Sequence, residues 1–274
     1  MAHDPDSAHA EAEDAERERA RDERATNERG FGARLGAAVK EIVVVLAMAL
    51  TLSFIVKTFL VQAFFIPSES MEDTLVVGDR VVVSKLTPGP FELQRGDVVV
   101  FADPGDWLSE QEQTDRGAAL NAVRSTLVFV GLLPDTSEGH LIKRVVGLPG
   151  DHVKCCDSEG RLLVNGEPID ESAYLKPGEQ ASAQEFDITV PAGRVWVMGD
   201  NRGDSSDSRF HDPAGNGQDG SVPIDLVVGK AMATVWPVDR WGGLSNHEGV
   251  FADVPEPGSN RSLGPPPDPA ATGT

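Results

Sequence analysis

Arg80-Val81-Val82-Val83-Ser84 is the first of three short β-branched runs that decide the fold of this chain. The other two are Asp97-Val98-Val99-Val100-Phe101 and Arg194-Val195-Trp196-Val197-Met198. β-Branched and aromatic residues favour strands, and the glycines and prolines between the runs favour turns. The sequence therefore predicts a mainly β fold built on an antiparallel β-sheet.

An apolar stretch precedes these strands, at residues 42–61, and Lys57 is its one charged residue. At about 1.5 Å of rise per residue, a helix of this length crosses a hydrocarbon core of about 30 Å. Basic residues precede the stretch at Arg24, Arg29, Arg34 and Lys40, whereas the next ones after Lys57 are Arg80 and Lys85. The positive-inside rule then predicts one transmembrane helix with a cytoplasmic N-terminus.

The remaining chain divides into a domain and two tails. We expect residues 62–250 to form an extracytoplasmic β-rich domain, with a smaller β subdomain at 152–194. Within that subdomain, Asn165-Gly166 in the segment 162–169 predicts a hairpin, because this pair supplies a two-residue turn that matches strand twist.

Both ends of the chain have the composition of disordered segments. Residues 1–41 carry hardly any apolar side chain, and residues 251–274 are rich in proline and small residues. We expect two disordered tails. Residues 103–140 begin polar and then carry an apolar, helix-compatible run at 118–133, which predicts an insertion with one helix. Its role stays open between packing on the β core and lying in the outer membrane interface.

Charge and cysteine content exclude two classes of protein. The formal net charge is −20, whereas a nucleic-acid surface needs a basic face, so we expect no nucleic-acid partner. The two cysteines, Cys155 and Cys156, are adjacent and therefore form no disulfide framework. As neighbours in a strand they would point to opposite faces. The prediction is a buried thiol pair, with a reactive or cross-linking thiol as the alternative.

A serine pair follows the apolar stretch in Ser68-Glu69-Ser70-Met71. A serine hydroxyl becomes a nucleophile when a neighbouring base takes its proton, and a lysine can be that base if burial lowers its pKa. Lys143 has the apolar surroundings that this requires. Lys85 is the rival lysine, since it also lies near an apolar strand. A histidine base would have to be His140, His152, His211 or His247, none of which lies in a recognisable triad context.

Three sequence blocks stand in order behind the apolar stretch. They are the serine segment 68–71, the lysine segment 143–151, and Gly199-Asp200-Asn201-Arg202-Gly203-Asp204-Ser205-Ser206-Asp207-Ser208-Arg209. In that order they closely resemble the bacterial type I signal peptidases, also called leader peptidases, from the apolar stretch to about Trp236. The resemblance implies a membrane-bound serine endopeptidase that removes signal peptides from secreted preproteins without metal or cofactor. Its implied partners are signal-peptide-bearing preproteins, membrane lipid and a nearby secretion translocase.

The resemblance also implies roles for individual residues. Ser70 is the nucleophile, Lys143 the general base, and Ser68 an oxyanion donor beside the Ser70 backbone N–H. Ser205 would hold the lysine amine in position. Substrate binding would fall to Ile66, Val81, Val82, Val83 and Ile142, with the strand that follows the nucleophile pairing with an extended peptide. Structural support would fall to Gly199, Asp200, Asn201, Arg202, Asp207 and Arg209, the last two as an ion pair.

Two positions depart from the family's common pattern. Glu69 stands where glycine often separates the two serines, and Glu72-Asp73 precede Thr74 where proline is usual. Neither change removes a catalytic group. Carboxylates near a lysine favour its charged form, so these residues bear on the pKa of the base.

Two other functions fit parts of the sequence. A non-enzymatic, membrane-anchored β domain could bind extracytoplasmic peptides, but it would not need both Ser70 and Lys143. The self-cleaving repressors share the serine and lysine chemistry, but they would need a DNA-binding domain where this chain has an acidic tail and an apolar stretch.

Overall fold

The computed structural model describes residues 40–105, 107–108 and 139–258. The first element, helix α1, spans Lys40–Leu60, and by length and composition it is long and apolar enough to cross a membrane. Its last turn, Val56–Leu60, has the wider π-helical hydrogen bonding. The chain enters a strand at Val61, the last residue of the predicted span. The predicted tail before residue 40 and most of the predicted insertion lie outside the described residues.

The rest of the described chain contains twelve strands, and all of their pairings are antiparallel. They are β1 Val61–Phe65, β2 Arg80–Ser84, β3 Val98–Ala102, β4 His140–Gly147, β5 His152–Cys155, β6 Leu162–Val164, β7 Glu167–Pro168, β8 Phe186–Thr189, β9 Arg194–Met198, β10 Val222–Pro223, β11 Val227–Trp236 and β12 Gly242–Gly243. Short 3-10 helices lie at Glu171–Ala173, Arg202–Asp204, Ile224–Leu226, Val238–Arg240 and Glu248–Phe251. The mainly antiparallel β fold is confirmed.

The strands form a large and a small sheet. The large sheet has the order β1-β2-β11-β3-β4-β9-β10, with β12 paired to β11. The small sheet has the order β7-β6-β5-β8 and lies within residues 152–194. The hairpin between β6 and β7 turns at Asn165 and Gly166, whose φ angles are +53° and +84°. Two successive positive φ angles are what the predicted Asn-Gly turn requires.

The large sheet is apolar on both faces. Val98 and Val100 of β3 pack with Phe64 and Ile142, whereas their neighbours Val99 and Phe101 pack into a second cluster. Alternate residues of a strand point to opposite faces, so β3 reads as a continuous apolar run because both faces are covered. Strand β4 lies beside β3 and shares these two buried environments.

A third apolar cluster joins the small sheet to the end of the described chain. Phe251 and Val254 are buried in it, with exposed fractions of 7% and 8%, beside Leu162 and Trp196. The folded core therefore continues past residue 250, where the sequence predicts the start of a tail. Residues 259–274 lie outside the described part of the chain.

The two cysteines differ from the prediction. Cys155 and Cys156 are joined in a disulfide, so the buried thiol pair is wrong. The prediction placed both residues in one strand, where they would point apart. Strand β5 ends at Cys155, however, so Cys156 lies outside the strand. The rule that successive strand residues point to opposite faces therefore does not apply to its side chain.

Candidate active site

The serine segment lies in a turn between β1 and β2. Ile66 N–H donates to the Asp79 carbonyl at 2.9 Å, and Leu75 N–H donates to the Met71 carbonyl at 2.7 Å. Ile66 before Ser70 and Met71 and Leu75 after it are buried, so apolar residues on either side of Ser70 fix the turn. Ser70 itself is 6% exposed, and its carbonyl accepts a hydrogen bond from Asn201 N–H at 3.1 Å.

Lys143 reaches Ser70 from strand β4. Its Nζ donates to Ser70 Oγ at 2.6 Å, and the lysine is 3% exposed. Burial lowers the pKa of Lys143 to about 8, against the opposing influence of Asp207 and Asp200. Arg209 lowers the pKa further and Asp204 raises it, both by charge. The arrangement joins a hydroxyl to an amine that can lose its proton near neutral pH.

Ser68 lies at the exposed side of this pair. Its Oγ is 3.3 Å from Ser70 Oγ, and either hydroxyl can be the donor. Three of the four predicted catalytic residues, Ser68, Ser70 and Lys143, therefore meet at one point. The predicted role of Ser68 as an oxyanion donor requires this closeness to Ser70.

Ser205 makes a different hydrogen bond from the expected one. Its Oγ donates to Asp207 Oδ2 at 2.7 Å, while the hydrogen bond that Lys143 Nζ makes within the described chain goes to Ser70. Asp207 also accepts from Gly199 N–H at 3.0 Å and pairs with Arg209 at 2.8 Å, as predicted for the ion pair. Burial would raise the pKa of Asp207, but the hydrogen bonds and charge of Arg209 hold it below its ordinary value.

The turn 199–202 contacts the backbone of the serine segment. Asn201 Nδ2 donates to the Glu69 carbonyl at 3.1 Å, beside the bond from Asn201 N–H to Ser70. A Cβ on Gly199 would clash with Ser205 Oγ and with the Ser70 carbonyl oxygen. This close approach explains why the position holds glycine.

Arg144 follows Lys143 and holds the same turn from the opposite face of β4. It donates to both oxygens of Asp200, at 2.8 and 2.6 Å, and to the Gly96 carbonyl at 2.8 Å. Thr74 Oγ1 also donates to Asp200, at 2.6 Å. No role was predicted for Arg144 or Thr74, although Arg144 lies in the block that contains Lys143.

The predicted pairing of β2 with substrate is corrected by the sheet order. Strand β2 is hydrogen-bonded to β1 on one side and to β11 on the other, so its backbone offers no free edge to a peptide. Val81 and Val83 are buried in the same apolar cluster as Ile66 and Ile142, and Val82 is partly buried. Family position alone could not reveal that β1 returns to cover β2.

The rival bases have other contacts. Lys85 Nζ donates to the Lys57 carbonyl at 3.4 Å. His152 pairs with Asp187, His211 stacks on Trp107 with its Nε2 2.9 Å from Ser206 Oγ, His247 lies against Tyr174, and His140 lies against Phe64. Among the described lysines and histidines, Lys143 is the one that hydrogen-bonds to Ser70. Within the described residues, no group of three or more His, Cys, Asp or Glu side chains could hold a metal ion.

Two further residues near the site have no sequence signal. Glu171 and Tyr174 lie between β7 and β8, and Glu171 forms a buried ion pair with Arg202. They belong to none of the three sequence blocks, and about 30 residues separate them from Arg202 along the chain. Only the folding of the small sheet against the turn 199–202 brings them together.

Comparison with known proteins gives consistent sequence matches. The family model "Signal peptidase, peptidase S26" matches residues 39–236. The protein named "Signal peptidase I" of Mycobacterium tuberculosis is 40% identical over 224 residues, which cover 75% of each chain. That of Leptolyngbya laminosa is 34% identical over 199 residues, 73% of this chain and 80% of its own.

A crystal structure of a signal peptidase I from Enterococcus faecalis V583 matches less closely. The two share 24% sequence identity, over 51% of this chain and 97% of that chain, with a TM-score of 0.30. At that TM-score the structural likeness carries no argument. The relationship rests on the sequence matches.

Proposed function

The chain belongs to the signal peptidase family, peptidase S26, and we propose that it is a membrane-anchored serine endopeptidase with Ser70 as nucleophile and Lys143 as general base. Membership of the family makes it a peptidase that cleaves signal peptides. One observation carries the mechanism: a buried lysine amine lies 2.6 Å from a buried serine hydroxyl. No other described base shares a hydrogen bond with Ser70.

The lowered pKa supports lysine as the base. At its ordinary pKa of 10.5, the amine is almost entirely protonated at pH 7. With a pKa of about 8, about a tenth of the molecules carry the neutral amine at that pH. Activity should therefore rise with pH as Lys143 loses its proton.

The reaction follows from these positions. Neutral Lys143 takes the Ser70 proton while Ser70 Oγ bonds to the scissile carbonyl carbon. The negative oxygen that forms accepts hydrogen bonds from the Ser68 hydroxyl and the Ser70 backbone N–H. The carbon–nitrogen bond then breaks, and the Lys143 ammonium returns its proton to the departing amine. Water attacks the remaining ester while Lys143 takes one of its protons. The bond from the carbonyl carbon to Ser70 Oγ then breaks, and the Lys143 ammonium returns the proton to Ser70 Oγ.

Within the described residues, one edge of β4 has no strand partner at residues 141–143, beside Lys143. Strand β4 pairs with β3 along His140–Arg144, but on its other side it pairs with β9 only from Arg144 to Gly147. The edge at residues 141–143 can therefore accept an extended peptide by backbone hydrogen bonds. This edge replaces β2 as the substrate strand and brings a bound peptide directly to Lys143.

Helix α1 supports anchoring in the cell membrane. The basic residues before it favour a cytoplasmic N-terminus and an extracytoplasmic peptidase domain. Ser70 follows the helix by ten residues, so the catalytic serine would act close to the lipid surface. A preprotein leaving the secretion translocase would present its cleavage site there, and the anchor would provide the proximity.

Cleavage of a reporter preprotein by the purified full chain in detergent tests the proposal. Ser70→Ala and Lys143→Ala should each abolish cleavage without changing the thermal unfolding temperature by more than a few degrees. Lys85→Ala is the matched control and should keep most of the activity. Near-normal cleavage by Lys143→Ala would disprove the assignment of the base. A wild-type chain that binds the reporter without cleaving it would favour the non-enzymatic peptide-binding domain.

A further inference from the structure

A buried ion pair joins the connection between β7 and β8 of the small sheet to the turn 199–202. Arg202 donates from Nη1 to Glu171 Oε2 at 3.1 Å and from Nη2 to Glu171 Oε1 at 2.5 Å. The Tyr174 hydroxyl donates to the same Oε1 at 2.8 Å. Glu171, Arg202 and Tyr174 have exposed fractions of 5%, 3% and 2%. The three side chains therefore hold one another in a water-poor environment, where charged hydrogen bonds are strong.

The carboxylate comes from the connection between β7 and β8. Glu171 begins the 3-10 helix Glu171–Ala173, and the Asp170 side chain caps it by accepting from Ser172 N–H. A second contact from the same connection is exposed and weaker: Lys176 pairs with Glu72 at 2.7 Å, with more than a third of each side chain exposed. Arg202 Nη1 also donates to the Ala181 carbonyl of this connection at 2.5 Å. Glu171 supplies the charged partner of Arg202, and Ala181 supplies a backbone one.

Arg202 in turn contacts residues that surround Ser70 and Lys143. Its Nε donates to the Gly199 carbonyl at 2.7 Å, and Gly199 N–H donates to Asp207. Asp207 in turn accepts the hydroxyl hydrogen of Ser205. Gly199 is also packed against Ser205 and the Ser70 carbonyl so closely that no Cβ fits. A shift of Arg202 must therefore move Gly199 against the nucleophile or away from it.

We propose that Glu171, with Tyr174, is a positioning residue for the Ser70 and Lys143 dyad, acting through Arg202 and Gly199. The inference rests on the proposed function, because it concerns the geometry of that dyad. Glu171 touches no reacting atom. It fixes the turn that packs against Ser70 and keeps water away from the lysine amine.

The test removes the ion pair without leaving a buried charge. In the double variant Glu171→Leu/Arg202→Met, apolar side chains of similar volume replace both partners, an exchange that buried ion pairs often tolerate. The matched control is Glu159→Leu/Arg161→Met, which makes the same exchange in an exposed pair of the small sheet, 3.2 Å apart. Both variants are compared with the wild type for kcat, KM and the pH dependence of kcat/KM.

A positioning role predicts a specific pattern in these measurements. In the Glu171 variant, kcat should fall on the order of 10²-fold, because small displacements of reacting groups have effects of that size. KM should change far less. The rising limb of kcat/KM should move to higher pH, because water that reaches Lys143 weakens the burial that lowers its pKa. The control should match the wild type in all three.

A merely structural role predicts the opposite pattern, and that result would overturn the inference. The Glu171 variant would then lose thermal stability. Its kcat per folded molecule, and the pH at which its kcat/KM rises, would stay at the wild-type values. If the double variant does not fold, Tyr174→Phe decides, because it removes one hydrogen bond to Glu171 and keeps the ring. It should lower kcat about tenfold, and an unchanged kcat and pH limb would exclude the role.

Ser70→Ala in the same assay separates this inference from the proposed function. If Ser70→Ala is inactive and the Glu171 variants are fully active, only the positioning role fails. If Ser70→Ala cleaves like the wild type, the dyad itself is wrong.

Discussion

Lys143 and Arg144 are adjacent on β4 and both are buried, but their hydrogen-bond partners differ in charge. Arg144 meets a carboxylate, with two hydrogen bonds to Asp200, and its guanidinium lies 4.2 Å from the centre of the Tyr174 ring. Lys143, on the other face of the strand, meets the neutral hydroxyl of Ser70. Burial lowers the pKa of Lys143 to about 8. Arg144 therefore holds a carboxylate in place, whereas Lys143 has the burial and the neutral partner that the proposed general base requires.

The largest effect should come from giving position 143 the chemistry of position 144. In Lys143→Arg the positive charge remains, but a guanidinium does not lose its proton in proteins. We expect kcat/KM for preprotein cleavage to fall on the order of 10⁴-fold, the upper range for loss of a general base. Lys85→Arg is the control and should cleave like the wild type. Activity of Lys143→Arg within tenfold of wild type would show that position 143 acts through its charge alone.

The hydrogen-bonded pair of Ser70 and Lys143 was easier to predict from the sequence than its surroundings. Both residues lie in short blocks with apolar flanks, and β2 and β9 could be found from β-branched runs. Glu171 could not be predicted, because its partner Arg202 lies 31 residues away along the chain and the pairing leaves no local sequence pattern. The covering of β2 by β1 was missed for the same reason: strand order depends on long-range pairing. The cysteine pair was missed because the end of β5 decides where each side chain points.

A second prediction concerns the ion pair between Arg144 and Asp200. Arg144→Met leaves Asp200 buried without its cation, which should lower the free energy of unfolding by about 3–5 kcal/mol. Chemical unfolding of the detergent-solubilised chain measures the change. Arg161→Met is the control, because Arg161 pairs with Asp157 at the surface and its loss should cost less than about 1 kcal/mol.

Removing both charges should reverse most of that loss. In Arg144→Met/Asp200→Leu no charged group is left buried without a partner, so stability should recover toward the wild type. If Arg144→Met is as stable as the control, Asp200 does not need a cation, and the contrast with Lys143 loses its basis.

The smallest effect is the dependence of stability on pH that Lys143 contributes. Its pKa in the folded chain is about 8, below the ordinary value of 10.5 expected in the unfolded chain. Between these values the unfolded chain binds one more proton, so the free energy of unfolding must rise with pH, by about 1.4 kcal/mol per unit. The whole window amounts to about 3 kcal/mol. Below pH 8 both states are protonated and the folded state bears the full cost of the buried charge.

Subtracting the stability of Lys143→Met from that of the wild type isolates this contribution, because every other titratable group is the same in both proteins. The difference should climb from pH 8 to 10.5 and be level on either side. A difference that is flat across the window would mean that Lys143 keeps an ordinary pKa. Burial beside a hydroxyl would then be insufficient to make a base of it, and the distinction between the two neighbours would fail.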